Sequence, residues 1–209
     1  GQEPRGRQGP PGNGDGQGQP TGKFAHNPEP LPENLSALSS EVKQQKADIG
    51  IAVDPDVDRL AFIDEQGAAF GEEFTLVAVA DYVLAHKKGN TVSNLSSTKA
   101  LRDISGKHGV NYAASAVGEV NVVEKMKETN AVIGGEGNGG IILPELHYGR
   151  DALVGIALFL SHLATSNKGM NSLRAQYPNY VISKNKIQLE EGMVISDIIQ
   201  KIKEKYKQY

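Results

Sequence analysis

The chain has no cysteine and no tryptophan, and aromatic residues make up only 6% of its 209 positions. Without cysteine there can be no disulfide and no thiolate metal centre, which fits a cytoplasmic protein. A core this poor in rings must be built from Val, Ile, Leu and Ala, and 38% apolar residues suffice for one. No apolar run approaches the ~20 residues that cross a bilayer, and the N-terminus has no signal-peptide core. A net charge of −3 gives no basic footprint for a polyanion. Neither nucleic acid nor membrane is therefore expected as a partner.

Residues 1–20 are dominated by Gly, Pro and Gln and lack large apolar side chains. Such a stretch cannot bury enough surface to offset its chain entropy, so it is expected to be a disordered tail. Gly6 to Gly14 has a collagen-like rhythm, but with too few triplets for a triple helix.

Further on, strand and helix patterns alternate. Helices are predicted over Asn34 to Gln45, Glu72 to Leu84 with Gly89 as its end, and Lys99 to His108 closed by Gly109. Others are expected over Gly118 to Glu128, Asp151 to Thr165 and Val194 to Lys205. The Asp151 helix is apolar enough to be expected buried on most of its surface. Strands are predicted over Asp48 to Val53, Leu60 to Ile63, Thr91 to Leu95, Val110 to Ala113 and the pair within Ala131 to Leu143. A short one is expected over Asn185 to Leu189. This alternation implies an α/β fold, a sheet sandwiched between helices.

Two loops carry candidate chemistry. Asp54-Pro55-Asp56-Val57-Asp58-Arg59 places three carboxylates at alternate positions between a strand read as buried and a second strand. Carboxylates so close repel one another unless a cation neutralises them, and hard oxygen donors suit Mg²⁺. An EF-hand also begins D-x-D-x-D, and Glu65 falls at its twelfth position, but Arg59 stands where that loop needs Gly. An aspartyl-phosphatase loop would need Thr or Val in place of Asp58. A solvated acidic turn is the plain alternative. The second loop, Gly135-Glu136-Gly137-Asn138-Gly139-Gly140, follows the apolar run from Ala131. Its glycines permit close backbone approach, and Glu136 and Asn138 are side chains of the kind that bind sugar hydroxyls. An ordinary glycine-rich turn fits equally, and no dinucleotide-binding helix follows.

Together the two loops resemble the α-D-phosphohexomutase family of phosphoglucomutases, phosphomannomutases and phosphoglucosamine mutases. The family's metal loop D-G-D-x-D-R is matched except for Pro55, and its sugar loop G-E-x-S-G-H is matched at Gly135, Glu136 and Gly139. Asn138 replaces the Ser and Gly140 the His. Ser115-Ala116-Val117-Gly118, with Val122 and Met126 after it, looks like the family's T-x-V-G segment and its helix. Ser96-Ser97 and the Asn27-Pro28-Glu29-Pro30 stretch are also similar to family segments. The resemblance runs from about Thr21 to the C-terminus. It implies the C-terminal part of a second domain at 21–68, a third domain at 69–175, and at 176–209 a link towards a fourth. The family's T-A-S-H-N-P phosphoserine loop and R-x-S-G-T-E-P phosphate clamp do not occur in these residues; Ala25-His26-Asn27-Pro28 has alanine at the nucleophile's place.

The resemblance implies a Mg²⁺-dependent phosphoryl transfer between the 1- and 6-positions of a hexose or hexosamine phosphate, through a bisphosphate that turns around. Asp54, Asp56 and Asp58 would hold the metal, Arg59 would act on the phosphoryl oxygens, and Glu136, Asn138, Ser115 and Gly118 would bind substrate. The partners implied are the hexose phosphate and the phosphoserine and phosphate-binding domains of a full-length enzyme. The variant glycine loop leans towards a phosphoglucosamine mutase. The alternative is a non-catalytic module that binds a metal or sugar phosphate. Lys99, His108 and Glu119 are candidate general bases by residue type alone. His147, Arg150 and Asp151 either line the cleft or serve structure. His86 reads as a helix-end residue, and Ser96 and Ser97 as turn residues.

Overall fold

The computed structural model describes residues 24, 27–183, 188, 192 and 194–207. The expected tail over residues 1–20, the Ala25-His26 pair and most of the Asn185 to Leu189 strand lie outside the described residues. Among the described residues no helix is long and apolar enough to cross a membrane.

The chain begins with a single 3-10 turn, Pro32–Asn34, and helix α1, Ser36–Gln45. Strands β1, Gly50–Val53, and β2, Leu60–Ile63, then form an antiparallel hairpin whose connection is the acidic loop. β2 is apolar at every position, and both of its faces are covered. Leu60 and Phe62 pack into the main core, while Ala61 and Ile63 pack with Leu35 and Val42 beneath α1. β1 differs from the expected buried strand. Ile51 and Val53 are 36% and 39% exposed, because the described residues lay no element over that face.

Helix α2, Glu72–His86, leads to a mixed four-stranded sheet in the order β4-β3-β5-β6. Its members are β3, Asn90–Asn94; β4, Tyr112–Ser115; β5, Ala131–Gly135; and β6, Ile141–Ile142. β3 is parallel to both β4 and β5, and β6 returns antiparallel to β5. The crossovers are α3, Ala100–Lys107, and α4, Glu119–Thr129. α2 and α3 cover one face and α4 the other, so the fold is α/β with helices on both sides of the sheet. α2 does not end at Gly89 as expected. Its cap is Lys87 in an extended conformation, and Gly89 is small because a Cβ there would lie 2.3 Å from Val132 Cγ1.

Helix α5, Ala152–Ser166, follows, then the short α6, Met170–Arg174, and α7, Ile195–Lys205. Sequence suggested an α5 buried on most of its surface, yet it buries one stripe. Ala152, Gly155 and Phe159 face inward, and Leu153 is 66% exposed. Phe159 stacks on Phe62 at 4.0 Å between ring centroids and meets Phe70 edge-on at 5.0 Å. That contact seats α5 against β2. At the other end of the sheet Asp81 joins four elements: His108 Nε2 lies 2.6 Å from it, and the Tyr177 hydroxyl donates to it at 3.4 Å. His162 Nε2 is 2.9 Å from the Tyr177 oxygen and 4.0 Å from Asp81.

Two kinds of outcome are expected, one at glycine positions and one at a buried histidine. Gly139 has φ 85°, and a Cβ there would stand 2.0 Å from the Leu60 carbonyl oxygen. Gly139→Ala is expected to cost about 2–4 kcal/mol in urea unfolding. Gly106→Ala, in an open part of α3, is expected to gain about 0.5–1 kcal/mol. The second outcome concerns His162, whose pKa is lowered by burial, with Lys107, Lys168 and His86 adding to the effect against the pull of Asp81. A histidine held neutral in the fold but free to protonate when unfolded stabilises the fold above its unfolded pKa, near 6.5. That contribution is lost as pH falls below this value. His162→Gln should flatten the decline in melting temperature between pH 7 and pH 5.

Candidate metal- and sugar-binding site

The parallel strands β3, β4 and β5 bring their carboxyl ends to one edge of the sheet, where open α/β sheets usually bind ligands. Asn94, Ser115 and Glu136 end or directly follow those strands. The hairpin lays the acidic loop over the same edge. Gly139 rests against the Leu60 backbone, and Ala152 N–H donates to Val57 O at 3.0 Å.

The acidic loop is shaped by its own chemistry. Val57 N–H donates to Asp54 O at 3.1 Å, closing a turn with Pro55 at its second position. Asp56 is not among the residues of positive φ, so the turn is of type I, and proline suits its first central position. Pro55 in place of the family's glycine is thereby accommodated. Val57 then adopts φ 60°, a left-handed conformation that costs a β-branched residue about 1–3 kcal/mol.

That turn gathers the three carboxylates. One oxygen each from Asp54, Asp56 and Asp58 lies within 4.8 Å of the others. Asp54 is buried, and its Oδ1 accepts the backbone N–H groups of Asp58 and Arg59 at 3.0 and 2.9 Å. Burial pushes the Asp54 pKa up, but these hydrogen bonds outweigh it and leave the carboxyl below its usual range. Asp58 goes the other way. Burial raises it to about 6, with Asp54 and Asp56 adding repulsion and Arg150 opposing them. Asp58 Oδ1 is buried and accepts no hydrogen bond. Three carboxylates offering hard oxygens, one of them carrying an unsatisfied buried atom, fit a divalent cation of the Mg²⁺ type. The EF-hand alternative fails on geometry: the flanks are strands, and Glu65 instead accepts the Met170 N–H at 3.0 Å at the start of α6.

Arg59 is turned towards both sides of the loop. Its Nη1 donates to Glu29 at 2.8 Å, while Nε lies 3.5 Å from Asp54 Oδ2 and 3.8 Å from Asp58 Oδ1. The bond to Glu29 raises its pKa further, so the charge is permanent.

Glu136 is buried, with both oxygens oriented by protein donors. Asn94 Nδ2 donates to Oε1 at 2.6 Å and Arg150 Nη1 to Oε2 at 2.8 Å. Each oxygen retains a second lone pair for a ligand hydroxyl. Asn138 Oδ1 accepts the Gly140 N–H at 3.2 Å, so part of its role is to shape the turn. Ser115 is buried and its hydroxyl donates to Ala116 O at 2.9 Å. Gly118 caps α4 at φ 113°, a conformation open to glycine.

The candidate bases separate. His108 lies at the far end of α3 against Asp81, away from this edge, and Lys99 is exposed at the start of α3. Glu119 is in the site, with Oε1 accepting the Arg150 N–H at 3.1 Å. Ser96 N–H and Ser97 Oγ both donate to Asn94 Oδ1, at 3.0 and 2.8 Å, a strand-end turn. Beyond the glycine loop, Asp151 is the N-cap of α5, accepting from Val154 N–H at 3.0 Å, and His147 Nε2 is held to it at 2.9 Å. Only Arg150 of that trio reaches the carboxylates, pairing with Asp58 and Glu136.

The metal-free site should show its charge crowding. A raised carboxyl pKa destabilises the fold as pH rises from about 4 through about 6, because the folded state holds the proton longer. Asp58→Asn removes that ionisation while keeping an oxygen for Arg150. In EDTA it should stabilise the chain by about 1–2 kcal/mol at pH 7.5, in the direction linkage requires, with the gain fading by pH 4. Urea unfolding at the two pH values checks this.

The chain is similar to known proteins of one group. The phosphoglucomutase/phosphomannomutase alpha/beta/alpha domain III model matches residues 71–180, and the domain II model of the same group matches residues 14–67. A phosphoglucomutase/phosphomannomutase from Thermococcus kodakarensis is 38% identical over 173 residues, 82% of this chain and 38% of that protein. A phosphoglucosamine/phosphogalactosamine mutase from Sulfurisphaera tokodaii is 33% identical over 187 residues, 87% of this chain and 41% of the other. The crystal structure of a phosphoglucomutase/phosphomannomutase family protein from Burkholderia thailandensis superposes with a TM-score of 0.66 at 26% identity. It covers 75% of this chain and 34% of that one. The chain thus spans about two-fifths of the length of the curated relatives it matches.

Proposed function

Since the chain belongs to the phosphoglucomutase/phosphomannomutase family, we propose that it supplies the metal loop and the sugar loop of a phosphohexomutase. The reaction is an intramolecular phosphoryl transfer between the 1- and 6-positions of a hexose or hexosamine phosphate, through a bisphosphate intermediate. The observation that supports this reading best is the meeting of the two loops. The carboxylates of Asp54, Asp56 and Asp58 lie within 4.8 Å of one another, and the loop that presents Glu136 packs on Leu60 directly beyond them.

Phosphoryl transfer depends on positioning and on neutralising charge. Asp54, Asp56 and Asp58 would hold Mg²⁺, which when bound acts as a Lewis acid towards a phosphoryl oxygen. Arg59, held at Nη1 by Glu29, would offer its remaining edge to the phosphoryl oxygens as a fixed fork. Glu136, held by Asn94 and Arg150, would bind sugar hydroxyls through its free lone pairs in either substrate orientation. Asn138 would add an amide donor, and Ser115 and Gly118 would shape the wall at the start of α4. Substrates named for relatives, phosphoglucosamine among them, are the substrate class proposed here. The catalytic partners would be a phosphoserine loop and a phosphate clamp, which these 209 residues do not contain.

Titration with Mn²⁺ or Mg²⁺ tests the reading. One weak site per chain is expected, lost in Asp56→Asn, the exposed member of the cluster. Retained affinity in that variant would place the metal elsewhere. In a coupled assay with glucose 1-phosphate or glucosamine 6-phosphate and bisphosphate activator, this polypeptide alone should show no turnover. Full activity would show that the missing groups are supplied within it.

A further inference from the structure

Arg150 is 14% exposed at its side chain and meets three carboxylates from three separate elements. Its Nη2 donates to Asp58 Oδ2 in the acidic loop. Its Nη1 donates to Glu136 Oε2 in the glycine loop at 2.8 Å. Its Nε stands 3.2 Å from Glu119 Oε2 at the start of α4, at an angle that makes no hydrogen bond. Glu119 holds the same residue a second time, through the Arg150 N–H at 3.1 Å.

The path of this side chain runs over Gly140. A Cβ on Gly140 would lie 2.5 Å from Arg150 Cδ and 3.2 Å from Cγ. The arginine therefore fills the space that a side chain at the last position of the glycine loop would occupy. Position 140 and position 150 form one unit: the first is empty so that the second can cross it.

We propose that Arg150 is a positioning residue that locks the metal loop to the sugar loop, so that the state of Glu136 is felt at the metal carboxylates; this rests on the site reading above. The forked guanidinium spans the two carboxylates with separate nitrogens. It holds Asp58 through Oδ2 and leaves Oδ1, buried and without a hydrogen bond, on the side of Arg59 Nε at 3.8 Å. It also holds Glu136 where a hydroxyl would meet it. Anything that weakens the Glu136 bond leaves the guanidinium less compensated and tightens its hold on Asp58, in competition with the cation. Such coupling is reciprocal: metal binding at Asp58 releases part of the guanidinium to Glu136. A lysine has the charge but not the fork, and cannot span both.

The experiment is a double-mutant cycle on the full 209-residue chain, read by Mn²⁺ titration. Glu136→Gln should weaken Mn²⁺ binding about three- to tenfold when Arg150 is present. In Arg150→Met and in Arg150→Lys the same change should weaken it no more than about 1.5-fold, the residual through-space effect. An arginine that only supports the fold would lower the melting temperature and leave the Glu136→Gln effect equal in all three backgrounds. That equality would overturn the proposal. Urea unfolding in EDTA gives a second, metal-independent cycle between Asp58→Asn and Glu136→Gln. Their effects should be non-additive by at least about twofold in the unfolding constant with Arg150 and additive without it. Additivity in both backgrounds would also overturn it. If the parent chain binds no Mn²⁺, the metal reading of the acidic loop falls, and the unfolding cycle alone decides the lock.

Discussion

Strand β2 is covered on both sides, and the site takes its position from that constraint. Leu60 and Phe62 anchor it in the core shared with α2 and α5, and Ala61 and Ile63 anchor it under α1. A slip of one residue would exchange its two buried sets and put Leu60 and Phe62 where Ala61 and Ile63 fit, so the register is set by the shapes of both cores. The acidic loop leaves from its first residue and the glycine loop rests on that residue's carbonyl. Two segments roughly 80 positions apart in sequence are therefore fixed with respect to one another before any ligand is present.

Onto that frame the molecule places more negative charge than its own cations match. Asp54, Asp58, Glu119, Glu136 and Glu29 stand against the guanidinium groups of Arg59 and Arg150, and Asp56 lies beside the other two aspartates. Backbone N–H groups settle Asp54, but Asp58 keeps a buried oxygen without a donor. Functional sites often carry such unpaired groups at the expense of stability, because filling them with protein donors would remove the affinity for a ligand.

Much of this was legible in the sequence. β2 was readable because four consecutive apolar residues are bounded by an acidic cluster and an Asp-Glu-Gln-Gly turn, and the two loops announced themselves by composition. What failed had a common cause. The burial of β1 and α5 depends on what lies across from them, which local pattern cannot report, so Val53 and Leu153 were expected inside and stand outside. Gly89 looked like a helix end, whereas the need there is for space beside Val132. Arg150 lay 92 positions from the carboxylate it pairs with, and no periodicity links such residues. One signal did exist: a glycine at 140 where the resembling loop carries a histidine leaves a volume to be filled, and a long cationic side chain stands ten positions on.

Val57 has a consequence of its own. A β-branched residue in the left-handed region would not be chosen by a free hairpin, and its carbonyl is pinned by the first N–H of α5. The ordering of the carboxylates is thus completed during folding rather than at the moment of binding. A cation arriving at the loop would meet carboxylates already ordered, and its calorimetric signature would carry the release of water more than the loss of chain freedom. The same residue makes the loop a poor graft: transplanted to a hairpin without an α5 to pin it, the turn would relax and the three carboxylates would drift apart.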